Sequence, residues 1–560
     1  MVSYIVKIKG GVNLRSGSSI KRSFNLWGML SAFFAALIIL PNVDLFGNLF
    51  VQPNENWYHI KTYLLKDYIT NTLVIIGFTG VFTVLVGSGL AWLISAYDFP
   101  GRKIFNWALI LPLTIPTYIG AYTYNGILNY TGVVQRLLRN VLEVQVSPKW
   151  LDIMNIQGAI FIFAVFLFPY VYTVTRAFLS NQSASLIENA RLLGKNSLEI
   201  FCQVVLPISR GAILGGMTLV IFEVLNDYGV VSYFGVQTFT TAIFKAWFSM
   251  GDIDTAVKLS GVLMTIVISV LLLERGLRGR KKYSYTTSKV RPIVRTRLRG
   301  LKGFWAFFVS FMFLSLGFII PVLQLLVWST LTYKKVLNIA FLKLLGNSVV
   351  VALVAALIIL GVAVIIANFS RLQENWVGKL FSKVTLLGYS IPGAVISMGV
   401  ILFFVDFDRK LEWFYKALNP NSITLVLSSS VVMLIFAYSV RFLAVGYQSI
   451  EAGFEKVGKK FFEASRILGN GVTKTFFRVD LPMIKPAVIS AFALTFVDIV
   501  KELPLTLILR PYNFNTLATK TYEYATDEMI HEAAIPALLI ILVSIASVYL
   551  LNKLGEKEGI

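Results

Sequence analysis

The sequence is poor in charge, cysteine and histidine. Its 560 residues include one cysteine and two histidines, and 14% of them are charged. Soluble globular proteins carry about 25% charged residues, so much of this chain faces something other than water. The lone Cys202 excludes an internal disulfide, and the widely separated His59 and His531 exclude a histidine-rich metal site. A metal site made of carboxylate or tyrosine ligands is not excluded.

Motifs for catalysis are missing too. The sequence has no G-x-S-x-G nucleophile motif, no metal-ligand spacing and no duplicated cluster of His, Cys or Asp. The phosphate loop G-x-x-x-x-G-K-[ST] is also absent, so an ATPase acting with this chain would have to be a separate protein. These absences disfavour an enzyme, and we expect this chain to bind no cofactor of its own.

Long apolar runs occupy most of the chain. Hydrophobic residues make up 56% of it, and the mean hydropathy is +0.72. A bilayer core needs roughly 20 apolar residues per helical span, and a helix satisfies its backbone hydrogen bonds in lipid within one segment. The runs predict an all-α membrane protein with twelve transmembrane helices, at about 26–48, 71–97, 104–128, 156–178, 211–233, 256–274, 303–331, 346–369, 380–405, 422–445, 486–509 and 533–552. No small-x-small cleavage site follows the first run, which we therefore interpret as a retained span.

The positive charge indicates an orientation. Twelve spans place both termini on one side, and most of the 51 Lys and Arg residues then fall in segments on that same side. The positive-inside rule makes that side the cytoplasm of a multi-pass protein of the cell (inner) membrane. The net charge of +22 could also indicate nucleic acid. The densest basic stretch, 275–302, joins two spans, so we interpret it as a topology anchor beside anionic lipid.

The chain is internally duplicated. Residues 188–213 match residues 463–488 at a shift of 275. The identical pairs are Glu188/Glu463, Arg191/Arg466, Leu193/Leu468, Gly194/Gly469, Phe201/Phe476, Val204/Val479, Leu206/Leu481, Pro207/Pro482 and Ala212/Ala487. The repeat predicts two homologous six-span halves, 1–278 and 303–560, joined by a basic cytoplasmic linker at 279–302. The halves should be related by an axis along the membrane normal.

The repeated segment reads as a helix–turn–helix on the cytoplasmic face. A short helix should end at Gly194, because glycine adopts positive φ. Phe201, Val204 and Leu206 are expected to form a hydrophobic ridge on a second short helix, which Pro207 closes. Such a ridge suits a groove on a partner protein. An amphipathic connector on the membrane surface is the alternative, and the duplication favours docking.

At this segment the chain resembles the coupling loops of ABC importer permeases, with the motif E-A-A-x-x-x-G followed by an apolar stretch and L-P. The matching residues are Glu188, Ala190, Gly194, Leu206 and Pro207 in the first copy, and Glu463, Ala464, Gly469, Leu481 and Pro482 in the second. Asn189 and Ser465 depart from the motif. The resemblance covers nearly the whole chain and implies the type I ABC importer permease fold.

The resemblance also implies partners. In that family each loop docks on one ATP-binding subunit, so a fused pair of halves implies an ATPase dimer at the cytoplasmic face. ATP and magnesium would be bound by that dimer. An extracytoplasmic substrate-binding protein would deliver the cargo, and loops 49–70, 129–155 and 510–532 are candidates for its contact.

Two further strings resemble the fused permeases of ferric-iron importers. One is N-D-Y-G at 226–229 leading to 235–241, and the other is K-E-L-P-L-T at 501–506 leading to 509–518. Ferric iron is therefore the implied cargo. Thiamine or another small solute, carried by the same importer class, is the alternative.

Four acidic residues lie inside predicted spans, where ionisable side chains are costly and often functional. Glu223 and Asp227 lie four residues apart in the fifth span, and Asp498 and Glu502 match them in the eleventh. Each pair shares a helical face, so we expect four carboxylates near a shared axis. They are candidates for a path for ferric iron, a hard ion that favours oxygen ligands. Alternatively, they pair with Lys501 or cap helix breaks.

Prolines and arginines in the spans carry further expectations. Pro116 and Pro392, in the third and ninth spans, are candidate hinges because proline kinks a helix. Arg176 and Arg441 are expected to mark the cytoplasmic ends of the fourth and tenth spans.

Other classes of protein remain open at this point. A secondary transporter with duplicated halves would place ion-coupling charges near mid-membrane in many spans and would not need the repeated loop. A channel or scaffold is a further alternative. Of these, the importer alone requires a soluble ATPase, so that partnership separates them.

Overall fold

The structure is a computed structural model that describes residues 26–49, 52–144, 147–180, 185–278, 294–373, 375–419 and 424–557. The described part is almost wholly helical, as the apolar sequence predicts. The basic segment before residue 26 and residues 279–293 of the predicted linker lie outside the described residues.

Helices make up most of both halves. In the first half they are α1 (Leu26–Asn48), α2 (Glu55–Tyr63), α3 (Leu65–Ala96), α4 (Arg102–Ala108), α5 (Thr117–Leu128), α6 (Val133–Asn140), α7 (Ile156–Ser180), α8 (Ser185–Leu192), α9 (Ser197–Ile200), α10 (Leu206–Asn226), α11 (Gly229–Tyr233), α12 (Phe239–Phe244) and α13 (Ile253–Arg278). In the second half they are α14 (Leu301–Leu314), α15 (Ile320–Val336), α16 (Ile339–Leu372), α17 (Trp376–Ser390), α18 (Gly393–Leu418), α19 (Val431–Val457), α20 (Lys460–Ile467), α21 (Val472–Thr475), α22 (Leu481–Met483), α23 (Lys485–Lys501), α24 (Pro504–Leu509), α25 (Leu517–Thr526) and α26 (Ala534–Lys557).

Shorter elements connect them. Turns of 3₁₀ helix lie at Leu111–Thr114 and Pro148–Trp150, and π-helical turns at Phe201–Val205, Lys245–Ser249, Ser315–Ile319 and Phe476–Asp480. Two short strands, β1 (Tyr97–Asp98) and β2 (Thr296–Arg297), pair in parallel. This pairing ties the described end of the predicted linker to the first half.

The predicted twelve-span helical fold is confirmed. Among the described residues, nine helices are long and apolar enough to cross a bilayer, and three bent helix pairs bring the number to twelve. The fifth and eleventh spans end earlier than predicted, because α10 stops at Asn226 and α23 at Lys501. The limits proposed for the two halves stay a prediction.

The tenth span begins later than predicted. The sequence placed it at 422–445, whereas α19 starts at Val431. Ser430 caps this helix by accepting a hydrogen bond from the amide of Val432 at 3.2 Å. The preceding backbone is held in a loop, where the amide of Ser428 donates to the Asp408 carboxylate at 2.8 Å.

Pro116 and Pro392 break their spans completely. The helices on either side of Pro116 meet at 91°, and those on either side of Pro392 at 113°. Our expectation of continuous helices kinked at these prolines is therefore wrong. The ring of a proline drives the preceding residue out of the helical region. Ile115 and Ile391 accordingly have ψ values of 113° and 126°. The role of these prolines as hinges stays a prediction.

Pro207 does not close the second short helix, contrary to the sequence prediction. The helix runs from Ser197 to Asn226 without interruption. A π-helical turn lies immediately before the proline, and the amide of Leu206 bonds to the carbonyl of Phe201. The wider turn accommodates the missing amide and the ring of the proline. In the second copy the helix does bend after its Leu-Pro pair, by 75°.

The first helix of each half packs against the other half. Helix α1 lies against α16, α17 and α18, and Trp27 Nε1 donates to Thr473 Oγ1 in the second repeated loop at 3.2 Å. In return, Tyr124 Oη of the first half donates to the carbonyl of Leu316, between α14 and α15, at 2.5 Å. One continuous apolar core therefore spans both halves.

The packing of α1 on the second half leads to a prediction at Gly399, where the backbones of α18 and α1 lie close together. A Cβ at this position would lie 2.5 Å from the carbonyl oxygen of Pro41. We expect Gly399→Ala to destabilise the purified chain by ~1–3 kcal/mol, seen as a lower thermal unfolding temperature. Gly361→Ala is the control, because Gly361 lies in α16 with no atom within 4 Å of its Cβ position. Equal unfolding temperatures for the two variants would contradict the close packing of α1.

Candidate functional site

A polar cavity lies where the broken helices of the two halves meet. It encloses about 120 Å³. Its ionisable lining residues are Glu223, Asp227, Asp498, Glu502, Arg441, Lys501, Tyr118, Tyr170 and Tyr389. Pro116 lines the same cavity, and Pro392 lines a smaller one beside it together with Glu223 and Tyr389. The four carboxylates predicted from the repeat thus lie around one cavity, while their function stays a prediction.

Asp227 and Glu502 cap helix breaks. Each follows the last residue of a long helix, and each carboxylate accepts a hydrogen bond from the first turn of the next short helix. The donors are the amide of Val230 at 2.8 Å for Asp227 and the amide of Leu505 at 3.1 Å for Glu502. A break in a membrane helix leaves amides without helical partners, so these caps replace bonds that lipid cannot supply.

The helices that start after the two prolines contact these breaks. Thr117, the first residue of α5, donates from its hydroxyl to Asp227 Oδ2 at 2.7 Å. The amide of Gly393, the first residue of α18, donates to Asn226 Oδ1 at 2.7 Å. The second of these bonds joins the two halves at the cavity.

The cations of the cavity belong to the second half. Arg441 Nε lies 3.4 Å from Glu502 Oε2, and both side chains are about nine-tenths buried. Lys501 Nζ lies 3.1 Å from Asp498 Oδ1. Among the described residues, Glu223 and Asp227 of the first half form no ion pair. The repeat therefore places four carboxylates in the cavity, and two of them, Asp498 and Glu502, are paired with cations.

Arg441 was expected at the cytoplasmic edge of its span, and that expectation is wrong. The residue lies inside α19, where its guanidinium also donates to the carbonyl of Ile391 at 3.3 Å. The error follows from starting the tenth span about nine residues too early. An arginine inside a span is by itself a signal of function, and the corrected boundary would have exposed it.

Glu223 is surrounded by tyrosines. The hydroxyls of Tyr170 and Tyr389 lie 3.3 and 3.4 Å from Glu223 Oε1. Tyr118 also lines the cavity, and its buried hydroxyl has no hydrogen-bond partner among the described residues. Sequence reasoning missed all three, because nothing distinguishes them from the other tyrosines among the 24 in this chain.

The carboxylates do not form a closed metal site. Across the described residues, no group of three or more His, Cys, Asp or Glu side chains is placed to hold a metal ion.

The two repeated loops share one backbone turn. Gly194 has φ of +77° and Gly469 has φ of +83°, as the sequence predicts. The amide of Lys195 donates to the carbonyl of Ala190, and Asn470 makes the equivalent bond to Ser465. A Cβ would meet nothing within 4 Å at either glycine, so conformation alone requires glycine there.

The expected hydrophobic ridge is wrong in its residues. Phe476 is buried, and Phe201, Val204, Val479, Leu206 and Leu481 are half-buried against the helices beneath. The most exposed apolar side chains sit at the turn, with Leu192 and Leu193 in the first loop and Ile467 and Leu468 in the second, each more than 80% exposed. An amphipathic pattern does not reveal which side of a surface helix is covered, so only the packing decides this.

The remaining motif positions lie around the same turns. Glu188 is half-buried and Ala190 is buried in α8, whereas Glu463 and Ala464 are exposed on α20. Pro207 and Pro482 follow the π-helical turns of their copies. A buried ion pair exists in the second copy, where Arg371 Nη2 lies 2.8 Å from Asp480 Oδ2 and ties the loop to α16.

A duplicated bundle with a polar cavity between its halves and two like-shaped loops at one end is the architecture of a membrane transport permease. A family model agrees: residues 83–273 and 359–557 each match the description "Binding-protein-dependent transport system inner membrane component". The chain belongs to this family, and its two matches show two permease units fused in one polypeptide. It is therefore a multi-pass ABC permease subunit.

Named relatives fall in the same class. The chain is 27% identical over 501 residues to the Fe(3+)-transport system permease protein FbpB 2 of Haemophilus influenzae, covering 88% of this chain and 91% of the relative. It is 23% identical over 500 residues to the ferric transport system permease protein FbpB of Actinobacillus pleuropneumoniae, covering 84% and 69%. It is 28% identical over 173 residues to the sulfate transport system permease protein CysT of Escherichia coli, covering 31% and 57%.

The buried pair of Arg441 and Glu502 gives a stability prediction. Arg441→Met leaves the Glu502 carboxylate buried without its cation, so we expect a loss of ~3–5 kcal/mol and a clearly lower unfolding temperature of the purified chain. Adding Glu502→Gln should recover much of that loss. Lys410→Met, which breaks the exposed pair with Asp406, is the control and should change little. An Arg441→Met variant as stable as this control would refute the pairing.

Proposed function

We propose that this permease translocates ferric iron in an ATP-driven importer. The observation that carries the proposal is the buried cavity between the halves, lined by four carboxylates and three tyrosines. Ferric iron is a hard cation that prefers anionic oxygen ligands. The names of two relatives that match more than four-fifths of this chain, both ferric transport permeases, point to the same cargo.

The size of the cavity supports an ion over a larger solute. A cavity volume of about 120 Å³ admits an ion together with several water molecules. Pockets for drug-sized ligands, a class that includes thiamine, enclose ≈ 300–1,000 Å³. In this conformation the cavity fits an ion with a few waters, so thiamine is the weaker alternative and a bulky iron chelate is disfavoured.

The partners follow from the family. A binding-protein-dependent system needs a substrate-binding protein outside the membrane and ATPases inside. We place an ATPase dimer at the repeated loops, where Leu192, Leu193, Ile467 and Leu468 offer exposed apolar contacts. ATP and magnesium would be bound by that dimer, so the loop face and both termini would be cytoplasmic. The substrate-binding protein would then contact the opposite face.

The geometry supports alternating access. The bends at Pro116 and Pro392 adjoin the cavity, and the helices that start there bond to the helix breaks of the carboxylate residues. Closure of the ATPase dimer would move the two loops together. The helices α10 and α23, which connect the loops to the cavity, would carry that movement to Asp227 and Glu502.

Uptake of radiolabelled ferric iron tests the cargo. Cells that lack this gene should lose energy-dependent ferric uptake when no other ferric importer is present, and restoring the gene should recover it. Thiamine uptake is measured in parallel and should not change. Loss of thiamine uptake, or of neither, would leave the permease assignment standing and remove ferric iron as the cargo.

A substitution in the second loop tests coupling. Gly469→Pro cannot reach the required φ of +83°, so it should abolish uptake while the chain still inserts into the membrane. Gly471→Pro is the matched control two residues further on, because Gly471 has φ of −67° and no atom within 4 Å of its Cβ position. Uptake at the wild-type rate in Gly469→Pro would remove the docking role of the loop.

A further inference from the structure

Three side-chain oxygens converge in the cavity without an ion pair to explain them. The hydroxyls of Tyr170 and Tyr389 reach the same oxygen of Glu223, at 3.3 and 3.4 Å. All three side chains are half-buried and line the cavity, so they are covered by protein and open to its interior. A carboxylate and two phenols can together bind a metal ion through oxygen. Tyrosine is not among the His, Cys, Asp and Glu ligands considered above.

The charge distribution singles out this cluster. Of the four carboxylates in the cavity, Asp498 pairs with Lys501 and Glu502 with Arg441. Glu223 forms no ion pair among the described residues. Among the described residues, Glu223 and Asp227 are thus the two carboxylates of the cavity without a paired cation, and a positive cargo would meet them in the first half of the chain.

The cluster also departs from the internal symmetry. At the repeat shift of 275 residues, Asp498 corresponds to Glu223 and Val445 to Tyr170. At the shift of 276 that aligns the two Ile-Pro pairs, Leu113 corresponds to Tyr389. The second copy of the site has therefore lost both tyrosines and gained a lysine. Packing alone would not require phenols at two separate positions around one carboxylate.

A fourth oxygen in the cavity has no partner. The Tyr118 side chain is 95% buried, and its hydroxyl makes no hydrogen bond to any described residue. An unpaired buried hydroxyl costs free energy, so a ligand or water in the cavity would stabilise it. This observation is independent of the Glu223 contacts.

We propose that Glu223, Tyr170 and Tyr389 bind the ferric ion during its passage, a proposal that rests on the function proposed above. Each tyrosine that becomes a ligand forms one iron–oxygen bond and releases its phenolic proton to water in the cavity. The oxidation state of the iron does not change. Waters complete the coordination.

The position of the three residues explains release. Glu223 on α10 and Tyr170 on α7 belong to the first half, whereas Tyr389 lies in the last turn of α17 of the second half, beside the bend at Pro392. A movement of one half against the other withdraws Tyr389 and removes one ligand. The site therefore exists in one conformation and is dismantled in the other, as transport requires.

Spectroscopy of the full chain in nanodiscs tests the site. The probe is ferric nitrilotriacetate, because iron(III) bound by phenolate has a charge-transfer band in the visible range. Wild-type protein should show this band, and Tyr170→Phe with Tyr389→Phe should lose most of it. Gallium(III), which has the same charge and no such band, should compete with iron for the site.

Tyr172→Phe is the matched control. Tyr172 is a buried tyrosine on the same helix as Tyr170, and its hydroxyl donates to the carbonyl of Asn106 outside the cavity. This variant should keep the band. The absence of a band in the wild type, or its persistence in the double variant, would overturn the proposal.

Uptake by the same variants separates this inference from the proposed function. Glu223→Gln and the double tyrosine variant should lower ferric uptake at least tenfold, and Tyr172→Phe should not. Normal ferric uptake by the Glu223 and tyrosine variants, in cells where uptake depends on this gene, would refute the site and leave ferric transport intact. Ferric uptake that does not depend on the gene would refute the transport function itself.

Discussion

The two helix breaks at 226–227 and 501–502 are the feature on which the rest of the cavity depends. A helix that stops inside a bilayer leaves amides that lipid cannot satisfy, so the chain must supply acceptors at that depth. Asp227 and Glu502 do so by capping the next short helix. The same requirement brings carboxylates into the membrane interior. A structural role and a charged cavity therefore have one physical cause, and the helix-capping alternative posed by the sequence is realised in these two residues.

The duplication explains the helix breaks that the two halves share, and the differences between the halves explain the charges of the cavity. Each half contributes a broken span after an Ile-Pro pair and a carboxylate at its helix break. Arg441 and Lys501 then form their described ion pairs with carboxylates of the second half. The cavity is therefore asymmetric. The carboxylates on the side of the first half have no paired cation among the described residues, whereas those on the side of the second half are in ion pairs. Two identical subunits could not make this distinction, whereas a fused chain can change each half separately.

The loops show the same combination of symmetry and difference. Both need a glycine with positive φ, and both present a pair of exposed aliphatic side chains at the turn. The second loop is also anchored by the buried pair of Arg371 and Asp480 and by the contact of Trp27 with Thr473. Force applied to the second loop therefore reaches α16 and α1 directly, through side chains that the first loop lacks at the corresponding positions.

The sequence by itself determined the twelve-span helical class, the two-fold repeat, the glycine turns and the convergence of four carboxylates. These features follow from local hydropathy, from the positions of proline and glycine, and from the similarity between distant segments. Tertiary structure alone decided that Arg441 reaches Glu502, that Tyr170 and Tyr389 meet at Glu223, and that the first helix of each half crosses to the other. Each of these depends on contacts between residues more than fifty positions apart, and no local periodicity encodes which distant side chain fills a given position in a packed membrane core.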